Sequence, residues 1–80
     1  MARLLKNAQE IQAEVRRLIH QDKEIVDDEV EIGVPLPTLL LDLDSEGCNW
    51  TMTFFQNSQG YMGVVNKAGA EVQRLWNLEV

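Results

Sequence analysis

The stretch Asn49-Trp-Thr-Met-Thr-Phe-Phe-Gln56, followed by Gly60-Tyr-Met-Gly-Val-Val65, has the pattern of a β-hairpin. In its first arm, large apolar side chains alternate with two threonines, which is the period-two pattern of a strand with one buried face. The residues between the arms, 57–60, are turn formers that end in a glycine. We therefore predict that a hairpin forms the centre of the fold.

The size and composition of the chain limit what it can be. Its 80 residues form one small domain, residues 1–80. Cys48 is the only cysteine, so no disulfide can form within the chain, and a reducing cytoplasm is the expected location. The longest apolar run is the three leucines at 39–41, which is too short for a transmembrane span. We therefore expect no membrane partner.

Charge is unevenly distributed along the chain, whose formal net charge is −6. Residues 24–47 contain eight acids and no lysine or arginine, whereas residues 1–23 carry five basic residues against three acids. Binding to nucleic acid requires a basic surface that faces the phosphates, and five basic residues interleaved with acids make only a weak one. The charge pattern therefore argues against a nucleic-acid partner.

Residues 3–21 are predicted to form an amphipathic helix, because the apolar residues are spaced alternately by four and three: Leu4, Ala8, Ile11, Val15 and Leu18. Leu5 and Ile19 widen this stripe on one side. The stripe either packs on the following sheet, which we favour, or forms a coiled-coil seam with a second subunit. A twenty-residue helix of about 30 Å would overhang a seven-residue strand of about 23 Å, which supports association.

The segment after this helix has two strand patterns separated by prolines. Residues 29–34 alternate between apolar and other residues, and Pro35 and Pro37 then either confine this strand to a sheet edge or form a polyproline II segment. We favour the edge strand. Residues 38–44 form the next strand, with leucines at every second position on its inner face.

Residues 70–78 fit either a strand or a helix, and the tight turn formers before them favour a strand. The predicted fold is thus α+β, with the N-terminal helix packed on a four- to five-stranded antiparallel meander over residues 29–78. Its inner face would hold these side chains: Leu39, Leu41, Leu43, Trp50, Met52, Phe54 and Trp76. The opposite face is partly apolar, so we expect a partner to dock there.

A turn of acidic residues suggests a second kind of function. Asp42, Asp44, Glu46 and the following glycine match the first half of a calcium-binding loop. The match fails at the twelfth position, where Thr53 replaces the expected glutamate. A hairpin turn with solvated carboxylates explains the same residues, so binding of a divalent cation or small molecule is the alternative function.

The sequence offers no pair of residues suited to catalysis. His20 is the only histidine, and the helical pattern places it on the exposed side, opposite the apolar stripe. Cys48 has acidic neighbours and no nearby base, which is a poor setting for a nucleophile. We therefore predict that the protein is not an enzyme and that it uses no cofactor.

Small size, an apolar helix stripe and a sheet with apolar residues on both faces favour a protein-interaction module. We predict a cytoplasmic homodimer of regulatory or chaperone-like type, which binds itself or another protein. The residues predicted to contact the partner come from the outer sheet face and the helix: Phe55, Tyr61, Leu40, Leu5 and Ile19.

Overall fold

The computed structural model describes residues 4–43 and 47–79, and the elements below belong to these two ranges. In chain order they are β1 (Leu4–Lys6), α1 (Ala8–Gln21), α2 (Lys23–Asp28), β2 (Thr38–Leu39), β3 (Trp50–Thr51), α3 (Met62–Leu75) and β4 (Trp76–Leu78). The described chain is therefore an α+β fold in which most of the regular structure is helical.

The predicted four- to five-stranded meander is wrong. The described strands form two separate two-stranded sheets, of which β1 with β4 is parallel and β2 with β3 is antiparallel. The second arm of the predicted hairpin and most of the predicted strand at 70–78 lie in α3. Val65, Ala68 and Val72 are spaced by three and four residues and form the buried face of this helix. The segment therefore follows the helical spacing of these residues and not the two-residue alternation that it also contains.

Helix α1 begins at Ala8, rather than at residue 3, because Asn7 caps its first turn. The side-chain oxygen of Asn7 accepts the Glu10 N–H at 2.8 Å, and the Glu10 carboxylate accepts the Asn7 N–H at 3.3 Å. This capping box satisfies two backbone donors that a helix N-terminus leaves unpaired. The residues before the cap are extended and pair with β4.

The core lies where α1, α3 and β3 meet. Helix α1 contributes Ile11, Val15 and Ile19, which have no exposed area, and Trp50 of β3 is equally inaccessible. The full set of buried apolar residues is Ile11, Val15, Ile19, Ile25, Ile32, Cys48, Trp50, Val65, Ala68, Val72 and Leu78. Among the described residues, no helix combines the length and apolar character needed to cross a membrane.

The chain on either side of β2 and β3 forms an interrupted antiparallel ladder. At one end Gly33 and Gln56 exchange backbone hydrogen bonds of 2.9 and 3.0 Å, and at the other end the Leu40 N–H donates to the Asn49 carbonyl at 2.8 Å. Hydrogen-bonded pairs recur at every second residue of such a ladder, but residues 33 and 40 are an odd number of residues apart. The alternation between hydrogen-bonded and non-hydrogen-bonded pairs is therefore interrupted between residues 33 and 40. This segment contains Pro35 and Pro37, which have no N–H to donate.

Side chains close the edge of β4 that faces away from β1. The Asn49 side chain donates to the Leu78 carbonyl at 2.9 Å and accepts the Leu78 N–H at 2.7 Å. Beside it, the Trp50 indole N–H donates to the Trp76 carbonyl at 3.0 Å. These three hydrogen bonds take the place of a further strand and join the two small sheets.

Candidate functional site

Several exposed apolar side chains lie on the interrupted ladder and in the chain that leaves it after Leu40. We define the apolar patch as Leu36, Leu39, Leu41, Leu43 and Phe54, whose residues are 51, 46, 103, 63 and 93% exposed. Four of them belong to one continuous segment, and the ladder register places Phe54 opposite Pro35, at the start of that segment. Single exposed apolar residues are common on protein surfaces, but a group of this size usually marks a contact surface.

The conformation of Phe54 explains why this ring faces solvent. Its φ is 63°, in the left-handed region that bulky residues rarely adopt and that costs an L-residue about 1–2 kcal/mol. Phe54 is 93% exposed, whereas the next residue, Phe55, is partly buried and packs against the core. The strained residue thus reverses the expected alternation, so that Phe55 instead of Phe54 points inward.

The predicted inner face is therefore wrong for four of its members. Leu39, Leu41, Leu43 and Phe54 are exposed, whereas Trp50 is fully buried and Met52 and Trp76 pack against the core. Beyond β2, the chain bends at Leu41 and Asp42 and leaves the sheet. Because β2 ends at Leu39, the exposed leucines at 41 and 43 lie outside the strands of the described residues.

Phe54 also lines a cleft of about 200 Å³ beside the start of the leucine segment. The other lining residues are Gly33, Val34, Pro35 and Gln56. Gly33 is needed here because a Cβ at this position would lie 2.8 Å from the Gln56 Cβ. The close approach of the two backbones at Gly33 and Gln56 thus positions one end of the patch.

The structure does not gather the five predicted contact residues on one surface. Ile19 has no exposed area and belongs to the core, so it cannot contribute to a docking surface. Leu5 is 61% exposed on β1, and Leu40 is half-buried next to β2. Phe55 and Tyr61 are half-buried and pack against the core from the segment between β3 and α3.

Tyr61 has a structural partner that the sequence did not reveal. Its hydroxyl donates to the Asp28 carboxylate at 2.6 Å and thereby connects the end of α2 to the start of α3. This hydrogen bond raises the pKa of the Tyr61 phenol, and desolvation and the negative charges of Asp28 and Glu24 act in the same direction. The phenol is therefore a neutral hydrogen-bond donor at physiological pH.

The acidic turn gives no metal centre within the described residues. Asp42 is exposed, and Asp44 and Glu46 lie outside the described ranges. Residues 4–43 and 47–79 contain no group of three or more His, Cys, Asp or Glu side chains arranged to hold a metal ion. Binding of a divalent cation by this turn therefore remains a prediction.

His20 and Cys48 both bond to backbone groups. His20 Nε2 accepts the Ile32 N–H at 3.2 Å, and its Nδ1 lies 2.9 Å from the Arg16 carbonyl, so the proton resides on Nδ1. Cys48 is buried, and its thiol donates to the Trp50 carbonyl at 3.3 Å. Both geometries indicate structural roles for these side chains.

A second cleft, of about 230 Å³, lies between α1 and α3. Leu18, Val64 and Ala68 are its apolar lining residues. The polar lining residues are Gln21, Asp22, Lys67 and Glu71, and of these Asp22 already caps α2 by accepting the Glu24 N–H. Its lining combines apolar surface with side chains of both charge signs, and Asp22 is already engaged as a cap, which makes it a less distinctive site than the apolar patch.

No family model matches the chain, and neither the characterised proteins nor the solved structures include one with significant similarity to it.

The reversal at Phe54 and Phe55 leads to a direct stability prediction. We expect Phe55→Ser to lower the free energy of unfolding by about 2 kcal/mol, because it removes a ring that packs against the core. Phe54→Gly should leave this free energy unchanged or raise it by about 1 kcal/mol, because glycine adopts positive φ freely. Urea titrations followed by circular dichroism measure both changes. A larger loss for Phe54→Gly than for Phe55→Ser would contradict the described orientation.

Proposed function

We propose that the chain is a non-enzymatic protein-interaction module of regulatory or chaperone-like type, with the apolar patch as its contact surface. The observation that supports this most directly is the exposure of four leucines within residues 36–43 and of Phe54 on the neighbouring segment. Together they expose on the order of 500 Å² of apolar surface. Covering this surface with a partner would remove it from water and supply the main driving force for binding.

The proposed partner and location follow from the charge and the cysteine content of the chain. The partner is a protein, either a second copy in a homodimer or a different chain, and nucleic acid is disfavoured by the net charge of −6. A cytoplasmic location is proposed because the single cysteine is typical of a protein from a reducing compartment.

A photo-crosslinking amino acid placed in the patch would test this function in the native cell. Position 41 suits the probe because Leu41 is fully exposed, and position 13 on α1 is the matched control because Ala13 is also exposed. We expect a discrete crosslinked product from position 41 and none from position 13. A product with twice the mass of the chain would identify a second copy, and any other discrete mass would identify a different protein.

A second variant separates binding from folding in this experiment. Combining Leu36→Ser and Leu43→Ser should abolish the product from position 41 while leaving the urea midpoint unchanged, since both leucines are exposed. Equal products from positions 41 and 13, or a product that survives the double substitution, would contradict the proposal.

A further inference from the structure

Acidic residues lie on both sides of the apolar patch along the chain. Glu29 and Glu31 precede its first leucine, and Asp42 lies between its last two. All three are exposed, and no lysine or arginine occurs anywhere between Glu24 and Gly47. Arg16 of α1 pairs with Glu31 at 3.1 Å, whereas Asp42 forms no ion pair with any residue of the described ranges. The patch is thus an apolar surface in a locally negative field.

The conformation of Phe54 is an independent sign that a partner covers this surface. The residue is held in the left-handed region, yet its exposed ring makes little packing within the chain that could compensate for the strain. Strained conformations of this kind cluster at active sites, ligand-binding surfaces and switch regions. Contact of the ring with a partner would provide the missing compensation.

The charge distribution disfavours a second copy as the occupant. In a symmetric dimer the same patch would face itself, so the acidic segments of two copies would approach each other. Like charges that meet at an interface disfavour association, whereas opposite charges favour it and speed it. With eight acids and no basic residue in segment 24–47, a second copy is the disfavoured occupant.

We infer that the apolar patch binds a segment of another protein in which apolar side chains are flanked by lysine or arginine. This inference rests on the proposed function, because it names the chemistry of the partner for the same surface. Apolar side chains of the partner cover the leucines and Phe54, and its basic side chains lie near Asp42 at one end and Glu29 at the other. Binding through this surface weakens as salt concentration rises, since exposed ion pairs are screened.

Two synthetic amphipathic peptides test this inference with the full chain. One contains leucine and lysine, and the other has the same leucine positions with glutamate in place of lysine. By fluorescence anisotropy at low salt, we expect the lysine peptide to bind at least about tenfold more tightly than the glutamate peptide. The lysine peptide would form a few ion pairs with the acidic residues, whereas the glutamate peptide would be repelled by them. High salt should remove most of this preference.

Three variants connect the binding to the patch. Leu41→Ser should weaken binding of the lysine peptide about tenfold, because it deletes a fully exposed patch residue. Asp42→Asn should weaken it about threefold. Glu79→Gln removes one negative charge from an exposed residue outside the patch, so it is the matched control for net charge and should have little effect.

The outcomes separate this inference from the function on which it depends. If Leu41→Ser weakens the binding of both peptides equally and the lysine peptide binds no more tightly than the glutamate peptide, the inference of a basic partner is wrong. The apolar patch would still be a contact surface. If sedimentation equilibrium shows a dimer that Leu41→Ser dissociates while neither peptide binds, a second copy is the occupant and the inference is overturned. If Leu41→Ser changes neither peptide binding nor self-association, the proposed function fails as well.

Discussion

Trp50→Ala is expected to unfold most of the population, or to lower the free energy of unfolding by about 3–5 kcal/mol. Trp50 is the largest fully buried side chain, and its indole N–H donates to the Trp76 carbonyl at 3.0 Å. Alanine would leave a cavity in the core and would remove the partner of that carbonyl. The loss is a large part of the roughly 4–12 kcal/mol expected for 80 residues. Urea unfolding followed by far-ultraviolet circular dichroism measures it.

Trp76→Ala is the matched control, because it removes the same side chain from a half-buried position. The Trp76 ring lies 5.1 Å from the Lys6 ammonium, an exposed cation–π contact that contributes about 0.5–1 kcal/mol. We therefore expect Trp76→Ala to cost clearly less than Trp50→Ala. Equal losses for the two variants would mean that Trp50 is not the centre of the core.

Asn49→Ala is expected to lower the free energy of unfolding by about 2–4 kcal/mol, although it removes only a small side chain. The Asn49 amide donates to one backbone group of Leu78 and accepts from the other, at 2.9 and 2.7 Å. Its loss leaves the partly buried N–H and C=O of Leu78 unpaired, and each unpaired group lowers the free energy of unfolding by about 1–3 kcal/mol. Urea unfolding measures the total, and amide hydrogen exchange at Leu78 should accelerate more than exchange in α1.

Two further substitutions show whether the hydrogen bonds of Asn49 cause this loss. Asn66→Ala changes an exposed asparagine of α3 and should have little effect or a slight stabilising one, because alanine favours helix. Asn49→Asp keeps the acceptor but places a carboxylate against the Leu78 carbonyl. Its protonated form can donate to that carbonyl, so folding raises the pKa of the new carboxyl. The variant should therefore gain stability relative to the original protein as pH falls through that pKa. A pH-independent difference would exclude this explanation.

Local signals in the sequence predict some of this structure well. The spacing of Ile11 and Val15 correctly indicated the buried face of α1, because helical periodicity depends only on neighbouring turns. The capping box formed by Asn7 and Glu10 is also readable from the sequence, and it was the available signal for the start of that helix. For α3, the spacing of Ala68 and Val72 favours a helix, but the turn formers at 66–69 favour a strand over 70–78, which is wrong.

The apolar patch could not be predicted in the same way. Alternation divides a strand into two faces, but it does not determine which face is buried, and a single residue at positive φ exchanges them. That exchange occurs at Phe54, where a bulky residue gives no sequence signal for a left-handed conformation. A strand over residues 38–44 would bury the leucines at 41 and 43, whereas β2 ends at Leu39 and the chain then leaves the sheet.

The sequence by itself determined the amphipathic character of α1, the missing N–H donors at Pro35 and Pro37, and the acidic segment 24–47. These features depend on side-chain chemistry and on contacts within a few residues. Only the tertiary structure decided that β1 pairs with β4, that Asn49 closes the edge of β4, and that Phe54 faces solvent. Each of these depends on segments that are distant in sequence or on one backbone angle, which local patterns do not specify.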